Sequence, residues 1–229
     1  MSPRHCDVFD LGCIEYSEAQ RLQERLVAAR RAGDVPDTLL LVEHPPVVTV
    51  GRTAAEIDAE LSRGALEATG VPVYSVSRGG RATWHGPGQV VGYPILDLRA
   101  HRTDLHWYLR ALEDVIIRAL RDTGHRAGRV DGLTGVWSDG RKVASIGIAV
   151  RGWVTWHGFA VNRDCDPAAW QLIDPCGLRP GQMASLAELP GATPSREELQ
   201  EALVAGFEDV FGLTARRRDR MELFRQPAF

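Results

Sequence analysis

The sequence predicts an α+β fold with a mixed, largely antiparallel sheet and flanking helices. Three observations carry that expectation. Strand-like and helix-like runs mix without the strict alternation of a parallel βαβ sheet. Three apolar runs in the second half are separated by two-residue turn signals, Asp139-Gly140 and Arg151-Gly152, which reads as an antiparallel meander. No repeat and no long linker divides the chain, so residues 1–229 are expected as a single domain with a short C-terminal tail from about residue 213.

Each element has its own signal. Ser17 and Gln20 have capping-box spacing, and Ala19, Leu22, Leu26 and Ala29 follow at helical intervals until Gly33. Residues 38–43 (TLLLVE) read as a buried strand that Pro45-Pro46 breaks, and 47–51 (VVTVG) as the next. Ile57, Leu61 and Leu66 suggest a short helix closed near Gly70, and 71–77 (VPVYSVS) another strand. The stretch 78–89 (RGGRATWHGPGQ) has few aliphatics and is not expected to pack a core as its neighbours do. Strand character resumes at 90–98. Leu105, Leu109, Leu112, Ile116 and Leu120 then place a long helix over 103–123, stopped by Gly124. The meander comprises 135–137, 142–150 and 153–161. Residues 162–194 are polar, rich in proline and glycine, and without a period. Ser195 with Glu198 caps a last helix bearing Leu199, Leu203, Phe207 and Val210, which Gly212 ends.

Composition narrows the function. The chain is 44% hydrophobic and 25% charged with a formal net charge of -3, and its pI is near 6.2. A nucleic-acid binder usually has a basic balance. No run approaches the roughly 20 apolar residues of a membrane span, and the first residues lack the apolar core of a signal peptide, so a cytoplasmic location is expected. None of the four cysteines forms a C-x-x-C pair, and histidine is not clustered near them, so no metal is expected.

Three features could carry chemistry. Glycines at 79, 80, 86 and 88 let a backbone approach a ligand closely, and Arg78, Arg81, Trp84 and His85 stand among them. A surface loop is the ordinary reading, and the stretch matches neither the phosphate-loop nor the dinucleotide pattern. Cys176, between Pro175 and Gly177, lies outside any periodic segment, with room for a bulky electrophile. A loop thiol is inert unless a cation or hydrogen-bond donor stabilises its thiolate, and His85, His157 and Lys142 are the candidates. Lys142, the only lysine of the chain, opens an almost wholly apolar strand that would favour its neutral form. A solvated surface lysine is the ordinary alternative for it, and a core histidine the ordinary alternative for His157.

The runs RGGRATWHGPGQVVGYP, KVASIGI, HGFAVN and IDPCG occur in this order. Together they resemble the octanoyl-[acyl-carrier-protein]:protein N-octanoyltransferase (lipoate-protein ligase B) family, over roughly residues 8–212. The resemblance implies a biotin/lipoate ligase-like catalytic domain. It also implies transfer of octanoyl from acyl carrier protein to a lysine of lipoyl domains, with no cofactor. It assigns the acyl-thioester cysteine to Cys176 and the cysteine-activating lysine to Lys142. Substrate contacts fall on Arg78, Gly79, Gly80, Arg81, Ala82, Thr83, Trp84 and His85, on Ser145, Ile146 and Gly147, and on Gly158, Phe159 and Ala160. Trp84 departs from the tyrosine or phenylalanine expected of the family and would reshape one wall of the acyl site. Val143, Ile146, Trp156 and Phe159 are further candidate walls. Arg78, Arg81, Arg151 and Arg216 to Arg218 are candidates to steer the acidic carrier. The competing readings are an ATP-dependent lipoate or biotin ligase, a hydrolase pairing Cys176 with His85 or His157, and a non-catalytic adaptor. A ligase would need a phosphate-binding lysine near the glycine-rich stretch, where there is none.

Overall fold

The computed structural model describes residues 4–52, 70–172 and 181–225. The expected helix around Ile57 to Leu66 falls outside them, as does Cys176.

Eight strands form the main sheet. In spatial order they are β11 (Thr214–Arg217), β1 (His5–Cys13), β2 (Asp37–Glu43), β6 (Gln89–Ile95), β10 (Val154–Asn162), β9 (Arg141–Arg151), β8 (Leu133–Ser138) and β7 (Gly128–Val130). Pairing is parallel at β11–β1 and β1–β2 and antiparallel from β2 to β7. The sheet is therefore mixed and mainly antiparallel, as the two-residue turns imply. A second sheet holds β4 (Val73–Ser75), β3 (Val47–Val50) and β5 (Ala82–His85), in that order.

Both faces of the large sheet are covered, which is why β2 is apolar at consecutive positions rather than at alternate ones. Leu39 and Leu41 face a core built by α2 (Leu105–Asp122) and α3 (Arg196–Phe211), with Leu112, Ile116, Leu199 and Phe207. Leu40 and Val42 face α1 (Tyr16–Ala32), with Leu22 and Leu26. Helices α2 and α3 cross closely because Gly206 has no side chain; a Cβ there would lie 2.8 Å from the Val115 carbonyl oxygen.

Besides β1 and β7, which no sequence signal marked, the structure differs from the sequence-based expectations at four places. Helix α1 begins at Tyr16, with Glu15 at its N-cap and no side-chain cap. Ser17 therefore lies inside the first turn, where its hydroxyl cannot cap. The β9–β10 turn is Gly152-Trp153, both at positive φ, with Arg151 paired to Val154; the hairpin lies one residue further along than Arg151-Gly152. Within the glycine-rich stretch, β5 pairs with β3 and packs Ala82 and Trp84 against Val48, Cys165 and Ala169. Beyond Gly212, residues 214–217 form β11, and α4 (Met221–Arg225) places Leu223 in the α1-side core. None of the described helices is long and apolar enough to cross a membrane.

Candidate active site

A pocket opens on the α1 side of the large sheet, where the glycine-rich stretch crosses β9 and β10. The crossing is a close backbone contact. Gly79 donates its amide to the Ile148 carbonyl at 2.9 Å. A Cβ at Gly147 would lie 2.9 Å from the Arg78 side chain, and one at Gly51 would lie 2.3 Å from the Gly80 carbonyl oxygen. Glycine is required at these positions because one backbone lies directly on another. The cavity measures about 510 Å³ with its open mouth included.

Arg78, Gly80, Thr83 and His85 line this pocket together with Lys142, Ser145, Ile146, Gly147, Gly158, Phe159 and Ala160. The glycine-rich stretch thus meets the β9–β10 hairpin, which carries the other two stretches, around one lysine. Gly79, Arg81, Ala82 and Trp84 are not part of the lining. Strand β5 alternates, so Thr83 and His85 face the pocket while Ala82 and Trp84 face away. Trp84 stands edge-on to Trp170, with ring centroids 5.4 Å apart. Of the candidate acyl walls, Ile146 and Phe159 border the pocket, although both also pack against the core under α2 and α3. Val143 is in the core under α2 and α3, and Trp156 is in the core under α1.

Arg78 has a scaffolding part rather than a docking one. It is buried, and its guanidinium donates to the Thr49 carbonyl at 2.7 Å, the Thr49 hydroxyl at 2.9 Å, and the carbonyls of Gly79 and Arg81 at 3.0 and 2.9 Å. This rigid set of donors organises the loop that covers the pocket. An acidic partner cannot reach it. The other arginines expected to steer a carrier are scattered. Arg151 lies 5.6 Å from the Trp156 ring centroid, Arg217 pairs with Glu201, and Arg218 pairs with Glu222.

Lys142 is 5% exposed, with its ammonium nitrogen 5.3 Å from the centre of the Trp137 ring. Its backbone is clamped to the segment just beyond Cys176. The Lys142 amide donates to the Gln182 carbonyl at 2.7 Å, and its carbonyl accepts from Ala184 at 3.0 Å. Ala184 is held in turn by Asn162, whose side-chain amide donates to the Ala184 carbonyl at 3.1 Å and accepts from Gln89 at 3.0 Å. Gln89 accepts the Nδ1–H of His85 at 2.7 Å. A chain of hydrogen bonds therefore runs from the pocket histidine to the lysine strand.

Burial holds the pocket histidines neutral. It pushes both His85 and His157 down to about 3, with Arg78 and the other histidines adding to the effect at His85, and Arg78 at His157. Neither supplies a cation near neutral pH. His157 adopts φ +56, takes the Gln23 side-chain oxygen on its backbone amide at 2.8 Å, and lies 3.3 Å from the Ser77 hydroxyl.

Sequence reasoning missed Tyr16, Thr49, Val91 and Tyr93, which also line the pocket. The Tyr93 hydroxyl donates to His44 Nε2 at 2.7 Å, and His44 Nδ1–H donates to the Ile14 carbonyl at 2.7 Å. Burial lowers His44 to about 4. Val91 and Tyr93 share one face of β6 by the period of two, a signal present in VVGYP but unreadable without knowing which face holds the site.

Comparisons with known proteins agree with this architecture. A family model described as the lipoyl protein ligase A/B catalytic domain matches residues 15–208. An octanoyltransferase of Gloeobacter violaceus is 46% identical over 211 residues, covering 91% of each chain. An octanoyltransferase of Geobacter sulfurreducens is 46% identical over 200 residues, covering 87% of this chain and 82% of that one. Among solved structures, the bipartite lipoate protein ligase of Thermoplasma acidophilum superposes with a TM-score of 0.74 at 17% identity, over 96% of this chain and 89% of the other. The biotin protein ligase of Aquifex aeolicus superposes with a TM-score of 0.55 at 14% identity, over 90% and 70%. These two likenesses are of fold.

Proposed function

Since the chain belongs to the lipoyl protein ligase A/B catalytic-domain family and is an acyltransferase that moves octanoyl in protein lipoylation, we propose that it does so through Cys176 and Lys142. The donor is octanoyl-acyl carrier protein, and the acceptor is a lysine of a lipoyl domain. The whole chain acts as one catalytic domain in the cytoplasm, without a cofactor. The observation that carries the reading is the placement of Lys142. It lines the pocket with the three expected stretches, and its backbone pairs with residues 182 and 184. Five residues separate Cys176 from Gln182, a tether of at most about 22 Å.

The Cys176 thiolate, stabilised by the Lys142 ammonium, attacks the thioester carbonyl of the donor. The new carbon–sulfur bond forms as the bond to the carrier sulfur breaks. The departing carrier thiolate takes its proton from Lys142, which becomes neutral. The acceptor amine, having shed its ammonium proton to solvent, then attacks the acyl-enzyme. Carbon–nitrogen bond formation expels the Cys176 thiolate, and the surplus amine proton passes to Lys142. No nucleotide is consumed, because the acyl group arrives as a thioester.

The test separates the two residues. Cys176→Ala should abolish both the acyl-enzyme, read by intact mass, and the product. Lys142→Arg keeps a cation that cannot give up a proton, so it should form some acyl-enzyme but transfer poorly. Lys142→Ala should lose both steps and move alkylation of Cys176 to higher pH. An alkylation curve for Lys142→Ala that overlays the wild type would remove Lys142 from the mechanism.

A further inference from the structure

A bulge in β9 decides where Lys142 points. Against β8, Ala144 stands opposite Val136 and Lys142 stands opposite Trp137, so Val143 is an extra residue. Without it, the period of two would set Lys142 on the face of Ala144 and Ile146, under α2 and α3. With it, Val143 and Ala144 both pack in that core, and Lys142 joins Ser145 and Gly147 at the pocket.

Strand β8 is shaped to receive the redirected side chain. Gly135 has φ +128, and a Cβ there would lie 2.6 Å from Lys142 Cε, 3.3 Å from its Nζ and 2.5 Å from the Ala144 carbonyl oxygen. Two residues on, the Trp137 ring centre is 5.3 Å from the ammonium nitrogen, within the range at which an indole face attracts a cation. The far side of Gly135 is fixed as well. Its amide donates to Glu113 Oε1 at 3.1 Å, and Glu113, 1% exposed, takes Arg110 at 2.7 Å and Arg129 at 2.6 Å on its other oxygen.

We propose that Gly135 and Trp137 are positioning residues of the transfer reaction, forming the seat that holds the Lys142 amine, with Glu113 anchoring the seat to α2. The proposal rests on the role assigned to Lys142 above. Gly135 acts through the side chain it lacks: any Cβ would take the space of the lysine stem. Trp137 acts through its ring face, which favours the ammonium in the half-reactions that need the charge.

The experiment compares Gly135→Ala, Trp137→Leu and Trp137→Phe with the wild type and with Lys142→Ala. It reads kcat and KM for octanoyl-acyl carrier protein, and the pH midpoint of Cys176 alkylation. Gly135→Ala and Trp137→Leu should lower kcat by about tenfold or more with little change in KM. Both should move the alkylation midpoint toward that of Lys142→Ala, and Trp137→Phe, which keeps an aromatic face, should recover most of both losses. If Gly135→Ala fails to fold, Trp137→Leu against Trp137→Phe decides alone. Wild-type kcat and midpoint in the folded seat variants, alongside a crippled Lys142→Ala, would overturn the seat and leave the lysine's role standing. A wild-type Lys142→Ala would overturn both.

Discussion

Arg78 and Trp84 are six residues apart, and both are buried for opposite reasons. The arginine is buried because loop carbonyls and the Thr49 hydroxyl take its donors. The tryptophan is buried because β5 turns it away from the pocket into a small apolar cluster. Trp84→Ala should therefore act on stability, by about 3–5 kcal/mol as for other large-to-small aromatic truncations. Chain-length preference should stay as it is. Denaturant melts, together with kinetics on six-, eight- and ten-carbon donors, check this. A shifted chain-length optimum without loss of stability would place the indole in the acyl path after all. The glycine-rich stretch was legible in sequence because arginines, an aromatic and a histidine stand among its glycines; residues 145–147 and 158–160 were marked only by the family resemblance. The direction of Trp84 was not legible, since it depends on the register of β5 against β3. The direction of Lys142 was not either, since one extra residue in β9 inverts the alternation.

Helix ends read differently from helix faces. At α3, Ser195 accepts from the Glu198 amide at 3.1 Å, and the Glu198 carboxylate accepts from the Ser195 amide at 2.7 Å, so the capping box seen in sequence is formed. At α1 the same spacing of Ser17 and Gln20 caps nothing, because Tyr16, 2% exposed, is drawn inward and the helix starts before the serine. Ser195→Ala should then cost about 1 kcal/mol of stability, while Ser17→Ala should be neutral or slightly stabilising, alanine being the better helix former. Equal losses in chemical denaturation would mean that Ser17 caps in solution. The helices and the meander could be read from periodicity because their signals are local. Strands β5 and β11 are short, and pairing with distant partners defines them; β7 is three residues long and pairs only with its neighbour β8.

At the scale of the molecule, three buried neutral histidines make the fold sensitive to acid. The folded chain holds His44 near 4 and His85 and His157 near 3, against an ordinary value of 6.5. Below pH 6.5 the unfolded chain binds protons that the folded chain refuses. The stability from these groups is thus complete above pH 6.5 and falls with pH toward those lower values. Each histidine contributes a slope of about 1.4 kcal/mol per pH unit in that window. Urea midpoints at pH 7.5 and 5.5 measure the drop, and His44→Gln should flatten it by about one third. A midpoint that does not change between the two pH values would mean that these rings are protonated in the folded protein. Nothing in the sequence marked these three histidines as a group, because the burial that lowers them comes from the assembled sheet and loop.

Lys142 is also the chain's one ε-amine, and it is 5% exposed. Under the mechanism proposed above, the enzyme stores an activated acyl group and delivers it to amines, which puts its own surface at risk of modification. Here every other Lys or Arg position is arginine, whose guanidinium stays protonated and is a poor nucleophile. The surface therefore offers no lysine side chain for stray self-acylation, and the amine closest to the chemistry is the one enclosed against Gly135 and Trp137.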